Sequence, residues 1–198
     1  MPSDTLGRMA GLRERARRAV QAELAAVALE LFTERGFDEV TVDDIARAAG
    51  VSKRSFFRYF PAKEDAVFGG VQVMGDDIAE QLSARPAGER PWDSLHAVLR
   101  EWVARIDAES RATLRLIERT PSLRARFQQK REEVRSRIAE SLAARTGLDP
   151  FTVDLLTAAA GAAVDCASRE WLRTGPDADH MGLVDTAFTR LRPSCAGD

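Results

Sequence analysis

From residue 12 onward the apolar side chains of this chain recur at three- and four-residue intervals and nowhere alternate. In the first such run, Val20, Leu24, Val27, Ala28, Leu31 and Phe32 fall on one stripe of a helix. Alternation would mark strands. Without it, and with Ala, Leu, Arg and Glu as the commonest neighbours of the apolar residues, the predicted fold class is all-α. Gly and Pro cluster between the runs, at Gly36, Gly50, Pro61, Pro86–Gly88, Pro91, Pro121, Gly147, Pro150 and Gly175–Pro176. They divide the chain into about nine helices.

The first predicted helix covers residues 12–35, with Gly36 at its C-terminal stop. Thr41 caps a second helix whose first turn carries Asp43 and Asp44. Gly50 ends it, Ser52 caps a third helix containing Lys53–Tyr59, and Pro61 closes that one. Longer helices are expected over 63–83, 91–107, 109–119, 122–146, 150–173 and 177–192. Pro91 and Pro150 suit first-turn positions, and Ser122 and Asp177 suit N-caps. The organisation expected is a head of three helices over residues 1–65, followed by a C-terminal helical bundle over 66–198.

A chain of 198 residues buries a substantial core without disulfides. Its two cysteines, Cys166 and Cys195, are too few and too far apart for a disulfide scaffold or a four-cysteine zinc site, and they suit a reducing cytosol. The first ten residues lack the apolar stretch of a signal peptide. The longest apolar run, Leu155–Val164, is mostly alanine and too short to cross a bilayer. A cytoplasmic protein with no membrane partner is expected.

The net charge of −2 does not announce a nucleic-acid partner, and its distribution is more informative. Arg8, Arg13, Arg15, Arg17 and Arg18 outnumber two acids in the first 20 residues, and Lys53, Arg54, Arg58 and Lys63 stand in an acid-free stretch. In the segment from Thr41 to Asp65, small Ala46 lets the second helix pack closely and Gly50 accepts the dihedrals of a sharp turn. Val51 and Phe56 then lock the second and third helices into a helix-turn-helix unit. The third helix offers Lys53, Arg54 and Ser55 at the end that enters a major groove. A guanidinium at Arg54 matches guanine O6 and N7. Arg58, Tyr59 and Lys63, a turn or more further on, suit phosphates, as does the Thr41 hydroxyl.

In register, Phe32-x3-Gly36-Phe37, Thr41-x3-Ile45-Ala46-x2-Ala49-Gly50-Val51-Ser52 and Phe56-x2-Tyr59-Phe60-x2-Lys63-Glu64 resemble the N-terminal domain of the TetR family of transcriptional regulators. The resemblance implies a DNA-binding helix-turn-helix domain over 1–65 and a ligand-binding and dimerisation domain over 66–198, a homodimer, double-stranded DNA with a palindromic operator, and a small-molecule effector that releases a repressor. It assigns Lys53, Arg54 and Ser55 to bases, and Thr41, Phe57, Tyr59 and Lys63 to the backbone. Phe57 stands where a tyrosine is common, so its contact is with sugar or a thymine methyl. Further on, Leu116-Ile-Glu-Arg-Thr-Pro-Ser-Leu123 and Leu148-Asp-Pro150 are similar to the C-terminal body of actinobacterial members, some of which sense acyl-type or drug-like molecules.

The last two helices are expected to form the dimer seam as an intermolecular four-helix bundle. Leu155, Leu156, Ala159, Ala163 and Ala167 supply one close-packing face, and Val184, Phe188 and Leu191 a second. Trp102, Ile106, Ile117, Phe127 and Cys166 are the pocket candidates, although such residues are more often plain core than ligand lining. The cations of 122–146, among them Arg124, Arg126, Lys130, Arg131, Arg135 and Arg137, have Glu132, Glu133 and Glu140 as helical charge partners. His96 and His180 are isolated, so no metal is expected. No nucleophile elbow, phosphate loop or HExxH occurs, so neither enzymatic activity nor a cofactor is expected. The residues by themselves leave one alternative open, a helical ligand carrier or enzyme with a purely structural head.

Overall fold

The computed structural model describes residues 3–68, 71–106, 108–175 and 178–195. All regular structure among them is helical: α1 (Ser3–Arg35), α2 (Val42–Ala48), α3 (Lys53–Tyr59), a 3-10 segment (Glu64–Phe68), α4 (Val71–Ser83), α5 (Pro91–Val103), α6 (Ala108–Arg119), α7 (Pro121–Thr146), α8 (Pro150–Thr174) and α9 (His180–Cys195). Helix α1 begins nine residues before the expected start at Leu12. Periodicity reports the buried stripe, and a helix can run past it. The expected 63–83 helix is divided into the 3-10 segment and α4, with two poor helix formers, Gly69 and Gly70, between them in sequence.

Two of the expected caps move. Helix α7 starts at Pro121 rather than after Ser122, because proline suits the first helical position, and Arg124 N–H closes on the Thr120 carbonyl at 3.0 Å. Asp177 lies outside the described residues; the cap of α9 is Asp179, whose carboxylate accepts from Gly182 N–H at 2.9 Å. The cap of α8 is Asp149, with Pro150 following it as expected.

The chain forms two compact units. The head unit is Met1–Gly70 with Leu116–Arg126, and the body unit is Val71–Arg115 with Phe127–Asp198. The expected boundary at 65 therefore falls inside the head. Ala66, Val67 and Phe68 are buried there, and their 3-10 segment packs on α1. The 116–126 segment belongs to the head as well, which no local pattern announced. Its Arg126 donates to both carboxylate oxygens of Asp65, at 2.9 and 3.2 Å. Asp65 also accepts from Ala62 N–H at 3.2 Å. A polar side chain buried to this degree is costly unless hydrogen-bonded, and these partners supply the bonds.

In the body, Ile78, Leu82, Trp92, Leu95, Val98, Leu99, Ile138, Leu142, Val153, Leu156, Ala160, Val184 and Phe188 join in one core. The Trp92 ring lies tilted against that of Phe188, with centroids 4.7 Å apart, and donates its indole N–H to the Phe188 carbonyl at 3.3 Å, fixing α5 against α9. Helix α8 is long and apolar enough, by length and composition alone, to cross a membrane. The alanine-rich Leu155–Val164 run is only its middle. Val153, Leu156, Ala160, Ala163, Val164 and Ala167 face the body core instead, while Asp154, Asp165, Arg169 and Glu170 interrupt its other faces with charge.

The Pro/Gly loop between α4 and α5 is clamped. Glu89 receives the Arg85 guanidinium (Nε at 2.7 Å) and the Ser94 hydroxyl at 2.7 Å, while Arg145 donates to the carbonyls of Pro86 and Glu89 at 2.7 and 3.2 Å. The Arg85 hydrogen bonds, aided by Ser94, hold the Glu89 carboxyl down at about 2, against an ordinary 4.5. A carboxyl whose folded pKa is depressed stabilises the fold above its unfolded pKa and loses that contribution as pH falls toward the folded value. Between pH 4.5 and about 2 the parent is therefore expected to lose thermal stability more steeply than a Glu89→Gln variant, as read by circular dichroism melts.

Candidate nucleic-acid interface

Helix α2 is started by a reciprocal cap. The Thr41 hydroxyl accepts from Asp44 N–H at 3.2 Å, and Asp44 accepts from Thr41 N–H at 3.0 Å. The Thr41 side chain and amide hold the Asp44 carboxyl below the usual carboxylate range. Ile45 and Ala46 face inward, and at Gly50 the chain turns with φ at +66°, a value an L side chain rarely adopts. Val51 N–H bonds the Ala46 carbonyl at 2.9 Å across that turn. Helix α3 then starts on Ser52, whose hydroxyl accepts from Ser55 N–H at 3.1 Å. Phe56 is fully buried, and its ring lies 5.5 Å from that of buried Phe60. Burial of one such ring contributes about 2 kcal/mol, so two of them fix the rotation of a seven-residue helix that could not stand alone.

That rotation decides what α3 offers to solvent. Lys53, Arg54, Phe57 and Arg58 are exposed, while Ser55 and Tyr59 are half-buried. Phe57 is 45% exposed, with its ring edge-on to that of Phe56 at 5.7 Å. Arg58 donates to the Tyr59 hydroxyl at 3.1 Å and lies 5.0 Å from the centre of its ring. Ser55 accepts from the Ser52 hydroxyl at 3.0 Å, which leaves its own O–H to donate elsewhere. Thr41 is exposed, but its hydroxyl is shared with Asp44.

Two basic residues differ from expectation. Lys53 is not a bare cation: its Nζ lies 2.8 Å from Asp43 of α2. Lys63, expected on phosphate, points its ammonium inward. It donates to the carbonyls of Phe37 and Val40 at 2.8 and 3.0 Å and sits 4.3 Å from the centre of the Phe37 ring. The loop between α1 and α2 has backbone carbonyls that no helix satisfies, and a half-buried lysine supplies the donors. The arm residues Arg8, Arg13, Arg15 and Arg18 lie outside the described side chains; Arg17 is exposed.

Of the pocket candidates, Trp102, Ile106, Phe127 and Cys166 belong to the body unit and Ile117 to the head unit. Trp102 and Ile106 are half-buried against the body core, and the Phe127 ring lies 5.7 Å from the Arg131 guanidinium. Ile117 is buried in the head unit. Cys166 is exposed, with its sulfur 3.3 Å from Arg169 Nη2, and is not the small core residue expected. Both histidines have partners: His96 bonds Asp185 at 2.8 Å, and His180 bonds Ser168 at 3.0 Å and stacks on Trp171.

The seam residues are also redistributed. Leu156, Ala163, Ala167, Val184 and Phe188 are core residues of the protomer itself. Of the expected set, Leu155 is 48% exposed, and Ala159 and Leu191 are half-buried. The free apolar stripe of α8 runs instead through Phe151, 75% exposed, then Leu155, Ala158, Ala162 and Cys166. Both faces of this helix are apolar, so periodicity alone could not say which one the protomer keeps.

A three-helix head with an exposed, cationic third helix behind a glycine turn defines a helix-turn-helix DNA-binding protein. Residues 24–67 match the profile described as bacterial regulatory proteins of the tetR family, and residues 89–196 match that of the MftR C-terminal domain. The chain belongs to the TetR family of transcriptional regulators: a DNA-binding regulator with a ligand-binding domain. It is 34% identical over 202 residues to the regulator TcmR of Streptomyces glaucescens, covering 95% of this chain and 89% of that protein. It is also 34% identical over 143 residues to the putative mycofactocin biosynthesis regulator MftR of Mycobacterium tuberculosis, covering 67% and 69% of the two. In three dimensions it resembles a TetR-family regulator from Mesorhizobium loti, with a TM-score of 0.60 at 21% identity over 90% of this chain and 97% of that one.

Proposed function

We propose that the chain acts as a cytoplasmic homodimeric repressor that holds a palindromic operator and leaves it when a small molecule binds the body. The carrying observation is the exposed N-terminal end of α3, where Arg54 is exposed beside Lys53 and Ser55. In this reading those three meet base edges, while Thr41, Phe57, Arg58 and Tyr59 line the backbone. The exposed α8 stripe from Phe151 to Cys166 supports a twofold partner, which sets two copies of α3 one helical turn of DNA apart, about 34–36 Å. The effector acts by favouring a dimer with another separation; a tenfold loss of operator affinity needs about 1.4 kcal/mol of preference. The coupling runs through residues 63–83 and through α7, whose first turns are pinned to the head by Asp65 and Arg126. The protein works by binding alone, without catalysis.

Selection of bound sequences from randomised duplexes tests the reading. The full chain should enrich an inverted repeat, and Arg54→Ala should relax one base position in each half-site by about tenfold, the scale of one guanidinium–guanine contact. Equal binding of all duplexes by the parent would overturn it.

A further inference from the structure

Helix α2 opens with two adjacent carboxylates, and they do different things. Asp44 is consumed locally: it caps Thr41 and pairs with Arg47 at 3.2 Å. Asp43 has no part in that cap. Its described partner is Lys53, ten residues away on α3, with Nζ 2.8 Å from Oδ2 and both side chains 54% exposed. The pair spans the two helices of the DNA-binding unit at the end where Arg54 is also exposed. Surface ion pairs contribute little to stability, so a carboxylate held on a face that must approach a polyanion calls for another account.

We propose that Asp43 is a positioning residue for DNA specificity, which holds Lys53 toward base edges and away from phosphates; this rests on the DNA-binding reading above. A lysine is a flexible stem ending in a point charge, and beside DNA its default partner is the nearest phosphate, which carries no sequence information. One of its three donors anchored on Asp43 shortens its reach and leaves two donors for acceptors such as guanine O6 and N7. The carboxylate itself is repelled by the phosphates, so non-specific binding weakens while the specific contact is retained. Discrimination then comes partly from an unfavourable element, as specific recognition often requires.

The test uses the full chain. Selection with the parent defines its preferred duplex; the parent, Asp43→Ala, Lys53→Ala and the double variant are then titrated on that duplex, its single-base variants and a random duplex at several salt concentrations. Asp43→Ala should bind random duplex several-fold more tightly, with a salt slope steeper by about one, because the released Lys53 takes a phosphate. It should lose about tenfold discrimination at one base position, the same position that Lys53→Ala affects. In the Lys53→Ala background, removal of Asp43 should change that position no further. Should Asp43→Ala fail to fold, Asp43→Asn, isosteric and uncharged, carries the same readings. Base preferences unchanged in Asp43→Ala, or a loss that adds to that of Lys53→Ala, would overturn the proposal while the DNA-binding reading stands. A parent that selects no sequence at all would remove both.

Discussion

A Leu155→Asp variant is expected to sediment as a monomer and to bind the operator at least about a hundredfold more weakly than the parent, with no change in its fold. Leu155 is 48% exposed in the middle of an apolar α8 stripe whose first residue, Phe151, is 75% exposed. Contiguous apolar surface of this kind marks a contact that the isolated protomer does not satisfy. A twofold seam would place two introduced carboxylates in the same dry contact, and the penalty for each buried, unpaired charge is several kcal/mol. Half-sites then bind independently, and the gain from linked heads, with effective concentrations of about millimolar, is lost. Because Leu155 is outside the body core, its melting curve should stay close to the parent's. The same charge at Leu156, which is in that core, should unfold the body instead. A Leu155→Asp protein that remains dimeric in sedimentation velocity would remove α8 from the seam.

Lys63 should prove to be a stability residue before it is a DNA residue. Replacing it with Met keeps the stem and removes the ammonium, stranding two carbonyls that it now satisfies. Hydrogen bonds from a charged donor contribute about 1.5–3 kcal/mol, and the contact with the Phe37 ring adds about 0.5–1. The head is therefore expected to lose about 3 kcal/mol, visible as an earlier transition in denaturant titrations. Measured where the variant is still folded, the salt slope of DNA binding should stay within error of the parent's. A slope shallower by about one, with an unchanged unfolding midpoint, would return Lys63 to the phosphate contacts.

The DNA-binding head was the most legible part of the chain because its signals are local. Thr41 and Ser52 cap the helices they were expected to cap, Gly50 takes the left-handed turn, and Phe56 is buried while Arg54 is not. Each of these depends on residues within one turn of itself. The Lys53–Asp43 and Lys63–Phe37 contacts were not legible, since they join residues 10 and 26 apart through a turn whose angle only the packed head fixes. Cys166 and the alanines of α8 show the same limit from the other side. Their spacing makes two faces of the helix apolar, and no count of intervals tells one apolar face from another.

By itself the sequence determined the helical class, the order of the helices, the capped turn and the cations on α3, because backbone propensity and capping are settled between near neighbours. Tertiary structure decided which stripe of α8 the protomer buries and which it leaves free, where Lys63 spends its donors, and that residues 116–126 belong with the head. Those outcomes turn on competition among distant groups for the same apolar and hydrogen-bonding partners, and only the packed chain resolves it.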